Sequence, residues 1–230
     1  MAKKDQNEEQ SVLESPEALA EQISKSEEFI EKNKNVLTYI ILGIAVVIGG
    51  FFYWKSQMAE KETEAQTEMY KAQFYFDADS LTKALSGDGN NLGFMDIIDE
   101  YDGTKAANLS KFYVGVIYMQ QGKFDDAITY LNDFSSSDLL IQARAYALIG
   151  DAYVETKDMA NAISYYQKAA DYKENEYFTP MYLMKLAQAQ EANNDFAGAV
   201  TSYNKIVKNY PKAQELNDAK KRLARAEQMQ

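Results

Sequence analysis

Val36 to Trp54 reads VLTYIILGIAVVIGGFFYW, nineteen consecutive residues without a charge. As a helix this stretch reaches roughly 28 Å, close to the hydrocarbon thickness of a bilayer. Its flanks fit a membrane boundary. Lys32 and Lys34 stand before it and Lys55 after it, while Tyr39, Tyr53 and Trp54 sit where amphipathic rings favour the interface. No other part of the chain is apolar enough to surround such a helix, so the stretch is expected to be a transmembrane anchor. It begins thirty-five residues in, exceeds a signal core of about 7–15 residues and lacks a small-x-small exit. An uncleaved anchor is therefore expected. A lipid-modified cysteine is excluded, because the chain has no cysteine.

The absence of Cys and His also removes disulfides, Cys/His zinc sites and Cys or Ser–His catalytic pairs. A net charge of −11 argues against binding nucleic acid through phosphates. The charge is uneven: residues 1–35 carry five Lys and nine acids, whereas residues 205–230 carry seven Lys/Arg and three acids. Three prolines in 230 residues and helical periodicity predict an all-α chain: one N-terminal transmembrane helix followed by an α-solenoid.

In chain order, residues 1–35 are an acidic tail, with 1–15 expected to be disordered. Ser15-Pro16-Glu17 can cap and start a helix, with Leu19, Ile23 and Ile30 near one face. This helix either lies at the membrane surface or stands in solvent. Residues 36–54 are the anchor. Within it Gly43 and Gly50 lie two turns apart, and Ala45 and Gly49 form a small-x-x-x-small pair. These four are candidate packing positions for another membrane helix. Three Lys precede the anchor within twenty residues and three follow, so charge does not orient it. Residues 55–91 read as a long connecting helix, broken by Gly87-Asp-Gly-Asn-Asn91. Phe94, Ile97, Ile98 and Tyr101 then restore a helical stripe.

Three segments repeat. Gly115 precedes Ala127 by twelve positions, Gly150 precedes Ala162 by twelve, and Ala187 precedes Ala199 by twelve. Large residues follow each second member: Tyr130 and Leu131, Tyr165 and Tyr166, Tyr203 and Ile206. Two antiparallel helices approach closely only where both lack bulk, and the aromatics then fill the space to the next hairpin. Tyr210-Pro211 ends the third unit. This register resembles the tetratricopeptide repeat, a helix-turn-helix of about 34 residues. Repeats are expected over 92–211, with clear units near 108–141, 143–176 and 180–213, and residues 68–101 as a degenerate first unit. The departures are Lys111 and Tyr146 where that repeat usually has tryptophan, and Gln190 where it has tyrosine. A basic capping helix is expected over 212–230, with Leu216, Ala219, Leu223 and Ala226 inward.

No catalytic constellation, phosphate loop or metal-ligand cluster is read, so the chain is expected to be no enzyme, to hold no cofactor and to take no small-molecule substrate. Asp125-Asp126 read as solvated turn acids, Glu27, Glu28 and Glu31 as a solvated face, and the seventeen tyrosines as packing residues. A solenoid offers a concave groove, lined in the tetratricopeptide fold by the first helix of each hairpin. The candidates are Leu109, Phe112, Val116 and Met119 in the first unit, Arg144, Asp151 and Glu155 in the second, and Met181, Met184 and Gln188 in the third. Phe112 and Val116 stand where carboxylate-clamping members carry a basic residue and an asparagine, which argues against that mode. A groove rich in Met and Phe suits adaptable apolar ligands.

The whole plan resembles the YfgM family: acidic tail, one anchor near residue 40, a long helix, then repeats. The local match is Asn33-Lys34-Asn35 leading into Ile41-Leu42-Gly43, then Tyr53-Trp54-Lys55 and Met69-Tyr70-Lys71-Ala72. That resemblance implies a single-pass protein of the bacterial inner membrane, N-terminus cytoplasmic and repeats periplasmic. It further implies an ancillary subunit of the SecYEG translocon that works with a membrane-anchored periplasmic chaperone. The alternatives are an envelope-assembly adaptor, similar to those of the Tol-Pal or barrel-assembly systems, and a membrane scaffold with a cytoplasmic domain.

Overall fold

A computed structural model describes residues 16–229. The stretch 1–15, with its expected disorder and the Ser15 cap, lies outside the described residues. Among these residues there are ten helices and no strand: α1 (Pro16–Asp77), α2 (Leu81–Ser86), α3 (Phe94–Glu100), α4 (Lys105–Gln120), α5 (Phe124–Asp133), α6 (Leu139–Glu155), α7 (Met159–Asp171), α8 (Thr179–Ala192), α9 (Phe196–Asn209) and α10 (Leu216–Ala226). The chain forms two compact units, Met1–Ala59 and Glu60–Gln230.

In the first unit, α1 begins at Pro16 and enters the apolar stretch without a break. No Gly or Pro lies between Glu17 and Val36 to end the helix. Ser26, Asn33 and Thr38 each satisfy their side chain on the carbonyl four residues back, at 2.8 Å. From Tyr39 to Trp54 every large apolar side chain is at least half exposed, around the full circumference. The helix is long and apolar enough to cross a membrane, and no described residue covers it. A helix that is apolar on every face has no stable place in water.

The second unit is a row of helical hairpins, α4/α5, α6/α7 and α8/α9, each packed on its chain neighbours. The small pairs lie where the two helices of a hairpin cross. Ala127, Ala162, Ala187 and Ala199 have no exposed surface. A Cβ added to Gly115 would stand 2.5 Å from Leu131 Cγ, and one on Gly150 would stand 2.7 Å from the Tyr166 ring. Helix propensity alone would favour Gly150→Ala by about 1 kcal/mol. The buried tyrosine makes the crossing too tight for that gain, because overpacking costs about 1–3 kcal/mol. Gly150→Ala is therefore expected to lower the urea midpoint, and a raised midpoint would show that the crossing has slack.

The turns repeat as faithfully. Gly122, Lys157 and Asn194 all take positive φ (71°, 63° and 60°). The next residue's N–H reaches back to the preceding helix: Lys123 to Tyr118 O at 2.9 Å, Asp158 to Tyr153 O and Asp195 to Gln190 O at 2.8 Å. Asp158 and Asp195 then cap the following helix through the N–H of Asn161 and Gly198. The same turn occurs earlier, at Asp79 (φ 56°), where Ser80 N–H reaches Tyr75 O at 2.8 Å. Its small pair is Ala72 and Ala84, again twelve apart and again fully buried.

A further hairpin therefore precedes the three clear units, and its first helix is the end of α1. Ala65, Met69 and Ala72, the last two within the stretch 68–101 read as a degenerate first unit, share a core with Phe94, Ile97, Val114 and Ile117. The second helix of this hairpin is split into α2 and α3 by the loop 87–93. Asp88 holds that loop, accepting from the Asn90 and Asn91 N–H groups at 3.0 and 2.8 Å and from Tyr75 OH at 2.6 Å. The Tyr75 hydroxyl and these donors hold the Asp88 carboxyl well below the usual carboxylate range.

At the other end α10 closes the row. Its buried Ala219 and Ala226 face inward, with Leu223 packed on the last core. The basic character of this helix has a local cause. Glu191, with a side chain only 8% exposed, accepts from Arg222 at 3.3 Å and Arg225 at 3.0 Å, and from Tyr203 OH at 3.1 Å. A buried carboxylate persists only when paired in this way. Gln190, where the repeat usually has tyrosine, accepts instead from the buried Ser202 hydroxyl at 2.8 Å.

Candidate protein-binding groove

Helices α6 and α8 are the first helices of adjacent hairpins, and a groove of about 450 Å³ runs between them. Leu140, Arg144, Ala147, Leu148 and Asp151 line one wall, with Ala147 and Leu148 each three or four positions from both Arg144 and Asp151 on one face of α6. Phe178, Met181, Tyr182 and Lys185 line the other wall.

Local chemistry sets both helix starts. Asp138 caps α6 by accepting from Leu140 N–H at 2.8 Å and Ile141 N–H at 3.1 Å. Those two bonds hold its carboxyl below its usual range. Ahead of α8, Asn175 accepts from the N–H groups of Tyr177 at 3.1 Å and Phe178 at 2.9 Å, and Pro180 occupies the first turn. This turn sets Phe178 into the groove wall.

The inner end of the groove is tied across three helices. Asp151 Oδ1 on α6 accepts from Tyr166 OH on α7 and from Lys185 Nζ on α8, both at 2.6 Å. Lys185 also lies 5.7 Å from the Tyr166 ring centroid. Burial, then the hydrogen bond to Asp151, pushes the Tyr166 hydroxyl well above the ordinary tyrosine range. Burial does the same to Tyr203, helped by the charge of Glu191. A pKa raised on folding adds stability that is whole below the unfolded value, about 10 for tyrosine, and is lost as pH climbs through the folded one. Stability is thus expected to fall above about pH 10, with less of a fall in Tyr166→Phe. Urea titrations from pH 8 to 11.5 measure this, and parallel curves for the two proteins would refute it.

Of the residues read from the sequence as groove-lining, Arg144, Asp151 and Met181 meet here. Gln188 faces a smaller neighbouring recess with Tyr166 and Lys185. Glu155 is exposed at the end of α6. Two candidates are placed differently. Phe112 packs in the core between the α4/α5 and α6/α7 hairpins, and Met184 is buried in the C-terminal core, so both hold hairpins together. Leu109, Val116 and Met119 are partly buried against the core around Phe112. Leu140, Phe178 and Lys185 were not anticipated. One helical turn from Arg144 and Met181, they could have been found from the i, i+4 rows. Positions 43, 49 and 50, read as anchor packing sites, have open space where a side chain would stand, and Ala45 lies on the same exposed helix.

Residues 115–177 match a family model of the tetratricopeptide repeat, and residues 182–213 match a second model of the same description. No curated protein matches the chain. This is an all-α chain with tetratricopeptide repeats and one long apolar helix able to span a membrane. Such repeats imply a protein-binding scaffold, and the apolar helix is consistent with a single-pass membrane anchor.

Proposed function

We propose that this protein is an ancillary subunit of a SecYEG-type translocon, anchored in the bacterial inner membrane by residues 36–54, with its repeats in the periplasm. There it holds a partner domain or an emerging chain and assists handover to a membrane-anchored chaperone. One observation carries the reading: a groove between repeat hairpins and an uncovered helix apolar enough to span a membrane occur in the same chain. The resemblance around Asn33–Lys55 and Met69–Ala72 supports the choice of translocon and the orientation. The anchor docks through Gly43, Ala45, Gly49 and Gly50, where a neighbouring helix can come close.

Affinity purification of the full-length chain in a gentle detergent, followed by mass spectrometry, is the test. Translocon subunits with a periplasmic chaperone are expected, and Gly49→Leu with Gly50→Leu should reduce their recovery while leaving the repeats folded. Recovery of envelope-assembly proteins without translocon subunits would overturn the assignment in favour of an adaptor role.

A further inference from the structure

The α6/α8 groove has an uneven charge. At its inner end Asp151 and Lys185 neutralise each other at 2.6 Å, and Tyr166 takes a further position on the same carboxylate oxygen. One and a half to two turns away, Arg144 is exposed and forms no ion pair with any described residue. The rest of the lining is apolar: Leu140, Ala147, Leu148, Phe178, Met181 and Tyr182. The groove is therefore a hydrophobic trough with a single uncommitted cation, in a chain whose net charge is −11.

Resting on the reading of this groove as the partner site, we propose that it selects an internal apolar segment bearing one acidic side chain. The carboxylate meets the Arg144 guanidinium, and the flanking apolar residues lie on Phe178, Met181 and Leu148. The planar fork of arginine suits a carboxylate in two-point contact. A carboxylate at a chain end is a poorer fit. Clamping one calls for further free donors, and the only other cation lining the groove, Lys185, is committed to Asp151. The neutralised inner end repels neither sign, so it tolerates the uncharged part of the segment.

The test uses the full-length protein in lipid nanodiscs and end-blocked, fluorescein-labelled ten-residue peptides of Leu, Phe and Ser. One peptide contains a single central Glu, a second has Gln there, and a third keeps Gln but has a free C-terminus. Fluorescence anisotropy should show the Glu peptide binding about tenfold more tightly than the other two. Arg144→Gln should erase that preference, with helicity unchanged by circular dichroism. Met181→Asp should weaken all three. Equal binding of the Glu and Gln peptides, abolished by Met181→Asp, would overturn the acidic preference and leave the groove as partner site. Tightest binding of the free-ended peptide would overturn the choice of an internal segment. Failure of every peptide to bind the unaltered protein would overturn both the preference and the groove reading.

Discussion

Arginine at both Val46 and Val47 is expected to release the chain from the membrane pellet into the supernatant on alkaline carbonate extraction. These side chains are 74% and 72% exposed near the middle of the apolar stretch. Each arginine costs about 2.5–3.5 kcal/mol at the centre of a membrane helix, and the two together approach the whole gain from inserting a moderately apolar span. Leucine at both positions keeps the length and apolarity and should leave the chain in the pellet. If the arginine variant also stays there in full, residues 36–54 do not anchor the protein.

The largest loss of fold stability is expected from Tyr203→Ala. Tyr203 has no exposed surface and is the largest fully buried side chain of the chain's described residues. Removing a buried aromatic ring costs about 3–5 kcal/mol. Here the hydroxyl is also one of three groups serving the buried carboxylate of Glu191, with Arg222 and Arg225. Tyr203→Phe retains the ring and should cost about 1 kcal/mol, the value of one hydrogen bond. Urea unfolding followed by circular dichroism separates the two. Equal costs would mean that the ring contributes nothing beyond its hydroxyl.

The hairpins were legible because their closest approaches are chemically strict. The crossings leave no room for a Cβ at 115 and 150 and bury Ala127, Ala162, Ala187 and Ala199 completely, and such small residues stand out at fixed spacing. The same spacing links Ala72 and Ala84, in the stretch 68–101 read only as a degenerate first unit. That unit looks degenerate because the loop 87–93 splits its second helix and stretches the interval to the next unit from 35 residues (Gly115 to Gly150) to 43 (Ala72 to Gly115). The groove was less legible. Adjacent positions on a helix differ by about 100°, so a register correct to one residue still confuses a core-facing Met184 with the groove-lining Lys185 beside it. Pairing was invisible too, since nothing in the sequence says that Asp151 is spent on Tyr166 and Lys185.

The row of hairpins has a consequence for how the chain is made. Each hairpin leans on the one before it, and the contacts between helices are almost all between neighbours in sequence. A chain delivered from its N-terminal end can therefore fold as it emerges, every new hairpin finding its docking surface already built. At about 5–20 residues per second, one repeat takes a few seconds to arrive, and only that much apolar surface waits uncovered at any time. Helix α10 is the exception in kind. Until it comes, Glu191 has been laid down beside Tyr203 without Arg222 and Arg225, so its arrival is also the moment at which the row gains its electrostatic lock.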